Sequence, residues 1–410
     1  MSGIFNIMGI WWHHYTPMAL LTAFVLLPWT KNFFSEKGWR WLYIFFLSYG
    51  LSFCLTPIFR WLAYRFAVLD MPEARKLHSR ATPLLGGAAV YLAFLIAILI
   101  NGIYSLRLIA ILAAATLLFA IGLLDDIREV SARVKLVIQI GCSVWVMAFG
   151  IILRVLPDTF GPAALIGNIL LTTFWIVGIT NAMNFFDGMD GMAAGLGVII
   201  SFFLGLVAFQ TNQYFIGWIA VAMMGACIGF LPYNLLKRGK ATIFLGDAGS
   251  TVMGFLLACV AVYGEWSATS PIVALASPLL IFWVLIFDML HITVDRILSG
   301  RVMNFRQWIE YVGRDHLHHR LAYLFGTPKK SVLFIYVMAV CLGISALVLR
   351  NARTLDALLL LTQAAIIVVL ITLLERRGRT LADANCGSDL PETHKILQEN
   401  KAQSTEQHEP

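Results

Sequence analysis

The chain has 410 residues, of which 59% are hydrophobic and 13% charged, with a mean hydropathy of +0.79 and a formal net charge of +7. Such a composition excludes a water-soluble globular domain and indicates a polytopic membrane protein. The positive charge sits in loops beside apolar runs, so it reads as membrane orientation and not as a nucleic-acid footprint.

Cys54, Cys142, Cys227, Cys259, Cys341 and Cys386 are scattered without CxxC spacing, which argues against a disulfide framework or a zinc site. No lysine or arginine precedes the first apolar stretch, and no small-residue cleavage site is evident, so a cleaved signal peptide is not expected.

A membrane-spanning helix needs about 20 apolar residues. The runs that qualify or nearly qualify are Pro17–Thr30, Trp41–Tyr64, Gly86–Asn101, Leu108–Leu124, Val134–Ile152, Leu165–Asn181 and Met192–Gln210. They continue with Tyr214–Leu236, Ser250–Tyr263, Pro271–Met289, Ser331–Leu349 and Ala357–Leu374. The first is short and could lie in the interface or re-enter. The expected fold is therefore all-α, a transmembrane helix bundle of about 11–12 spans. Residues 1–380 form the transmembrane catalytic domain, and residues 381–410, polar and rich in Gln, Glu, Asn and Ser, form a disordered cytosolic tail.

Most lysines and arginines fall in one set of loops, which the positive-inside rule assigns to the cytosol. These are Arg65–Leu85, Asp125–Arg133, Ala182–Gly191, Lys237–Gly249, His291–Lys330 and the tail. The carboxylates Asp125, Asp126, Asp187, Asp190, Asp247 and Asp288 lie at the edges of apolar runs and fall on that same face. Ionisable groups beside membrane spans are costly and mark function by default. Their convergence points to a metal-dependent enzyme working on phosphates at the membrane surface, on the cytoplasmic side of the plasma membrane.

In chain order, DMPEARKLHSRATPLLGG carries Lys76 and His78 between prolines and a glycine pair. Alone it would pass for an ordinary positive-inside loop. LLDDIREV ends a span with Asp125 and Asp126, which diverge by about 100° on a helix, so one can ligate a metal while the other acts as a base. A solvated helix end explains an isolated Asp-Asp pair equally well.

TNAMNFFDGMDGMAAG repeats Asn181, Asn184, Asp187 and Asp190 at spacing three, which places them near one face of a helical stretch. Phe185 and Phe186 read as core or interfacial anchors. IFLGDAGS sets Asp247 between glycines just before a span, with Ser250 as a cap, and lacks the Gly-Lys-Ser/Thr of a Walker loop. RDHLHHRL gathers His316, His318, His319 and Arg320. This cationic cluster facing carboxylates suits a diphosphate with Mg²⁺, which prefers oxygen ligands, better than zinc. Headgroup binding by a basic loop is the plainer alternative.

Taken together and in this order, RKLHSRATPLLGG, LLDDIREV, NAMNFFDGMDG, FLGDAGS, IFD and DHLHHRL resemble the polyprenyl-phosphate N-acetylhexosamine-1-phosphate transferase family, of glycosyltransferase 4 type. The RKLH opening and the HLHHR form are more similar to its N-acetylglucosamine branch. The resemblance implies a membrane phosphotransferase. It moves an N-acetylhexosamine-1-phosphate from a UDP-sugar to undecaprenyl or another polyprenyl phosphate and releases UMP, which starts a cell-envelope glycan such as cell wall or lipopolysaccharide. It implies Mg²⁺, with Mn²⁺ as a substitute, held by Asp247 with Asp126 and Asp187. Asp125, Asp126, His318 and His319 would be catalytic. Lys76, His78, Asn181, Asn184, Asp187, Asp190, His316 and Arg320 would contact substrate. A homodimer is admitted. Competing readings are a Mg²⁺-dependent membrane prenyltransferase, in which FLGDAGS and HLHHR have no place, and a proton-coupled transporter, whose carboxylates should sit near the bilayer midplane.

Overall fold

The computed structural model describes residues 15–71, 81–235, 240–266, 271–304, 307, 313, 316–349 and 353–388. Among them, eight helices are long and apolar enough to cross a membrane, a bent pair adds a ninth, and two apolar helices are shorter. The chain is an all-α integral membrane protein.

The first apolar stretch is not one span. It divides into α1 (Tyr15–Val25) and α2 (Pro28–Glu36). Pro28 opens α2 and holds Leu27 extended, with ψ 134°, because a residue before proline is pushed out of the α region. Next come α3 (Arg40–Arg65), α4 (Gly86–Ile100), α5 (Leu106–Ile127), α6 (Ala132–Ala148) and α7 (Pro162–Phe185). The expected α8 (Met192–Gln210) appears with its boundaries unchanged, followed by α9 (Tyr214–Asn234) and α10 (Gly246–Tyr263).

The expected span Pro271–Met289 is broken. α11 (Pro271–Ile281) and α12 (Trp283–Leu298) meet at an 81° bend. Pro278 lies one turn before the break, where it removes a helical hydrogen bond. α12 also continues well into the stretch expected as a loop, and α13 (Leu317–Phe325) fills more of it. Two final helices follow, α14 (Pro328–Val348) and α15 (Thr354–Ser388). α15 runs on through residues 381–388, which were expected to begin the disordered tail. Leu381, Ala382 and Ala384 are good helix formers, and the helix persists to Ser388. The rest of the expected tail lies outside the described residues.

α10 is the hub of the bundle. Its apolar window is 89% buried, against 17% for α15, and it packs on α4, α5, α7 and α8. Small residues permit this closeness: a Cβ on Gly87 would lie 2.3 Å from the Gly249 Cα, and one on Gly122 would lie 2.5 Å from the Ala248 Cα. At the far end of α4, Lys31 donates to the Ile100 carbonyl at 2.7 Å and Arg40 donates to Asn101. Cations there complement the carbonyl end of the helix.

Candidate active site

The site is built where helices end. α5 and α7 finish, and α8 and α10 begin, at the same end of the bundle. Backbone pairing joins the loops between them. Leu69–Asp70 pairs antiparallel with Thr82–Pro83, Phe244 N–H donates to the Pro83 carbonyl, and Gly86 and Gly87 N–H donate to the Phe244 and Leu245 carbonyls at 3.0 and 2.7 Å. The TPLLGG segment is thereby clamped onto the GDAG turn. Gly246 occupies that turn with φ +76°, where a side chain would also meet the Leu84 carbonyl at 2.6 Å.

Asp126 and Asp247 are joined through the backbone. The Asp126 carboxylate accepts the Asp247 and Ala248 N–H groups at 2.8 and 3.2 Å, satisfying donors at the open end of α10. Asp125 points elsewhere. It accepts Val130 N–H at 2.7 Å, which shapes the α5–α6 turn, and Lys135 Nζ at 2.6 Å. Lys135 also reaches Asp247 at 3.0 Å. The divergence expected of adjacent helical carboxylates is thus realised: one caps and one meets a cation.

Asn181, Asn184, Asp187 and Asp190 do not share one surface. Steps of three residues drift by about 60° on a helix, and α7 ends at Phe185 before a 3₁₀ turn over Phe186–Gly188. Asn181 exchanges amide hydrogen bonds with Gln139 of α6 at 2.6 and 3.3 Å. Asn184 donates to Asp247 at 3.1 Å and to Ser250 at 3.0 Å. Asp187 lies beside the Gly246 backbone. Asp190 accepts Ala241 N–H at 2.9 Å, and Asn234 bridges Gly191 and Ile243 at 2.8 and 3.0 Å. Asn184 and Asp187 therefore face the Asp247 turn, while Asn181 and Asp190 tie neighbouring segments together.

The histidine segment folds over the DG turn. A Cβ on Gly188 would lie 2.9 Å from His318 Nε2 and 3.7 Å from His319 Nε2. The rings of His318 and His319 are 4.2 Å apart. His318 is 1% exposed and neither ring nitrogen has a hydrogen-bond partner. Burial, followed by the nearby His319, His316 and Arg320, pushes its pKa well below the ordinary histidine value, so the imidazole is neutral. Phe186 is fully buried in the core, as expected, and its ring also packs on His318 at 5.4 Å, while Phe185 packs on His316 at 4.7 Å.

Asp288 and Lys135, to which the sequence assigns no individual role, take their places here. Asp288, 1% exposed, contacts His316 Nδ1 at 2.8 Å and accepts Leu317 N–H at 2.6 Å, so it both orients that histidine and caps α13. Arg320 completes the cluster, with one nitrogen 3.9 Å from Asp288 and another 3.0 Å from His291 Nδ1. In the sequence Asp288 is visible as one more carboxylate at an apolar edge and as the last residue of the IFD element, with nothing to mark its partners. Lys135 is visible only as one of many basic loop residues, with nothing to mark its reach to Asp247, 112 positions away. Lys76 and His78 lie outside the described residues.

Among the described residues, no group of three or more His, Cys, Asp or Glu side chains closes around a metal position. Mg²⁺ commonly takes one or two carboxylates and completes its shell with water and substrate phosphates. Asp125 and Asp247, sharing Lys135, are such a pair of hard oxygen donors.

A family profile described as glycosyl transferase family 4 matches residues 108–265, from α5 to just past α10. The chain is similar to the probable undecaprenyl-phosphate N-acetylglucosaminyl 1-phosphate transferase of Bacillus subtilis, with 32% identity over 326 residues, 78% of this chain and 87% of the relative. It is likewise 32% identical over 359 residues to the decaprenyl-phosphate N-acetylglucosaminephosphotransferase of Mycolicibacterium smegmatis, 80% of this chain and 87% of that one. The undecaprenyl-phosphate alpha-N-acetylglucosaminyl 1-phosphate transferase of Escherichia coli K12 matches at 28% over 303 residues, 71% and 80% of the two chains.

Proposed function

Because the chain belongs to glycosyl transferase family 4, we propose that it transfers N-acetylglucosamine-1-phosphate from UDP-N-acetylglucosamine to a polyprenyl phosphate at the cytoplasmic face of the plasma membrane. The observation that carries this reading is the meeting of Asp125, Asn184 and Asp247 at helix ends, with the His318–His319 pair against the adjacent Gly188 turn. Carboxylates for a cation on one side, and imidazoles on the other, suit a sugar diphosphate lying between them. The curated relatives are named for the same transfer onto polyprenyl phosphates.

In this reaction an oxygen of the polyprenyl phosphate attacks the sugar-bearing phosphorus of the UDP-sugar. The bond to the UMP oxygen breaks, UMP leaves, and a polyprenyl-diphosphate sugar remains in the membrane. Asp125 and Asp247 would hold Mg²⁺, with Asn184 and Asp187 beside it. The bound ion would screen the diphosphate and the charge that develops in transfer. Asp126 acts through Asp247, by fixing the start of α10. His318 is neutral and can offer one N–H to a phosphate or sugar oxygen while its other nitrogen accepts. Asp288 positions His316 and the first turn of α13.

A transporter reading fits less well, since these carboxylates sit at helix ends and engage one another through a lysine and backbone groups. The basic excess in the loops that carry the site argues for its cytosolic placement. The test is UMP release from UDP-N-acetylglucosamine by purified protein in detergent, with and without polyprenyl phosphate and Mg²⁺. The expected result is UMP together with lipid-linked sugar phosphate only when all components are present. No lipid-linked product from UDP-N-acetylglucosamine overturns the reading.

A further inference from the structure

Lys135 is the one lysine seen to join Asp125 and Asp247 among the described residues, and its position is specific. It lies in the first turn of α6, behind a Ser131 cap that accepts Val134 N–H at 3.4 Å. From there its ammonium reaches Asp125 at 2.6 Å and Asp247 at 3.0 Å, linking carboxylates that belong to different helices. The three side chains are only 29%, 12% and 35% exposed, so the bridge is shielded from solvent more than a surface ion pair would be. Without a cation between them, two carboxylates turned toward one point repel, and the repulsion grows as water is excluded.

An ammonium and a divalent ion make the same demand on these oxygens. Both need the facing lone pairs of Asp125 and Asp247, and a metal at 2.0–2.1 Å from an oxygen leaves no room for an ammonium in its place. We infer that Lys135 is a tethered counter-cation that competes with the divalent ion for Asp125 and Asp247, so that metal entry requires the ammonium to leave the bridge. The inference rests on the metal assignment made above and adds a device to it. Lys135 supplies one positive charge and the divalent ion two. The displaced ammonium stays tethered beside the ion, so three positive charges then face the two negative charges of Asp125 and Asp247. The diphosphate of a sugar nucleotide corrects that imbalance. Metal and sugar nucleotide therefore bind cooperatively, and the empty enzyme has a deliberately modest divalent affinity.

The test uses the full chain purified in detergent and reads Mn²⁺ binding directly from the electron paramagnetic resonance signal of free Mn²⁺, without turnover. Lys135→Met should bind Mn²⁺ about tenfold more tightly than wild type in the absence of substrate, within the range of ordinary site-to-site coupling. Lys135→Arg, which keeps the charge, should stay near the wild-type affinity. The gain should vanish in Lys135→Met combined with Asp247→Asn. Adding UDP-N-acetylglucosamine should tighten Mn²⁺ binding in wild type by more than in Lys135→Met. If Lys135→Met does not accumulate, Lys135→Gln serves the same comparison. A merely structural bridge would give the opposite sign, since its loss would loosen the pair of carboxylates and weaken metal binding. Wild-type or weaker affinity in both neutral variants overturns the competition and leaves the metal assignment standing. Absence of saturable Mn²⁺ binding in every form, with or without the sugar nucleotide, overturns the metal assignment and the competition together.

Discussion

The carboxylate of Asp126 caps the helix on which Asp247 stands, taking the N–H groups of Asp247 and Ala248 at 2.8 and 3.2 Å. Two acidic residues 121 positions apart are thus held together through backbone. Replacing Asp126 with Asn offers one acceptor where two donors wait, and turns an amide N–H toward a backbone N–H. Losing such a bond at a buried site costs about 1–3 kcal/mol. Asp126→Asn should lower the thermal midpoint and the turnover number, while the Mg²⁺ concentration for half-maximal activity stays near wild type. A shift of tenfold or more in that concentration would make Asp126 a metal ligand.

Asp247 receives Lys135 and Asn184 on its two oxygens. Asp247→Asn keeps the shape but removes the charge that would offset a divalent ion. Turnover should fall by about 10³-fold or more, the scale of losing a principal electrostatic element, with the protein still folded in the membrane. Retention of near-normal UMP release at matched expression would remove Asp247 from the centre.

Asp288 links α12 to the histidine segment through His316 and Leu317. The two contacts are separable. A double-mutant cycle with Asp288→Asn and His316→Ala should return a coupling energy of about 1 kcal/mol or more, as residues in one hydrogen-bonded network do. Additive effects on thermal stability would show that Asp288 acts only as the α13 cap.

His318 is held neutral by burial first, with the nearby His319, His316 and Arg320 acting in the same direction. Its folded pKa is depressed, so below the ordinary value of about 6.5 the unfolded chain takes up a proton that the folded chain refuses. Stability therefore falls as pH drops below about 6.5, at up to about 1.4 kcal/mol per pH unit for this one proton. Thermal midpoints measured between pH 7 and pH 5 should decline more steeply for wild type than for His318→Gln. Parallel declines would mean that the imidazole titrates normally.

Orientation is open to a direct check. Single cysteines at Arg133 and Lys240, on an otherwise cysteine-free background, should react with a membrane-impermeant thiol reagent only after the cytosolic side is opened. A cysteine at Tyr104, at the other end of the bundle, should react from outside in intact cells. Exchange of these two patterns would invert the proposed topology.

The sequence by itself determined the class of molecule, most of the spans and the identity of the chemistry-bearing segments. Apolar runs long enough for a bilayer permit little besides helices, because no water is present to satisfy an open backbone. That is why Met192–Gln210 appears with its expected ends. Carboxylates beside such runs are conspicuous for the same reason, since their cost calls for a use. Tertiary structure alone decided what each polar group does. Asp125 and Asp126 are adjacent in the chain, yet one binds a lysine and the other caps a helix, because a 100° rotation sends them toward different neighbours. Lys135 carries no local signature and the IFD element does not say what Asp288 holds, because their partners are 112 and 28 residues away. The breaks before Pro28 and at Phe282 likewise escaped the hydropathy reading, because apolar composition measures affinity for lipid and says nothing of the direction in which a helix runs.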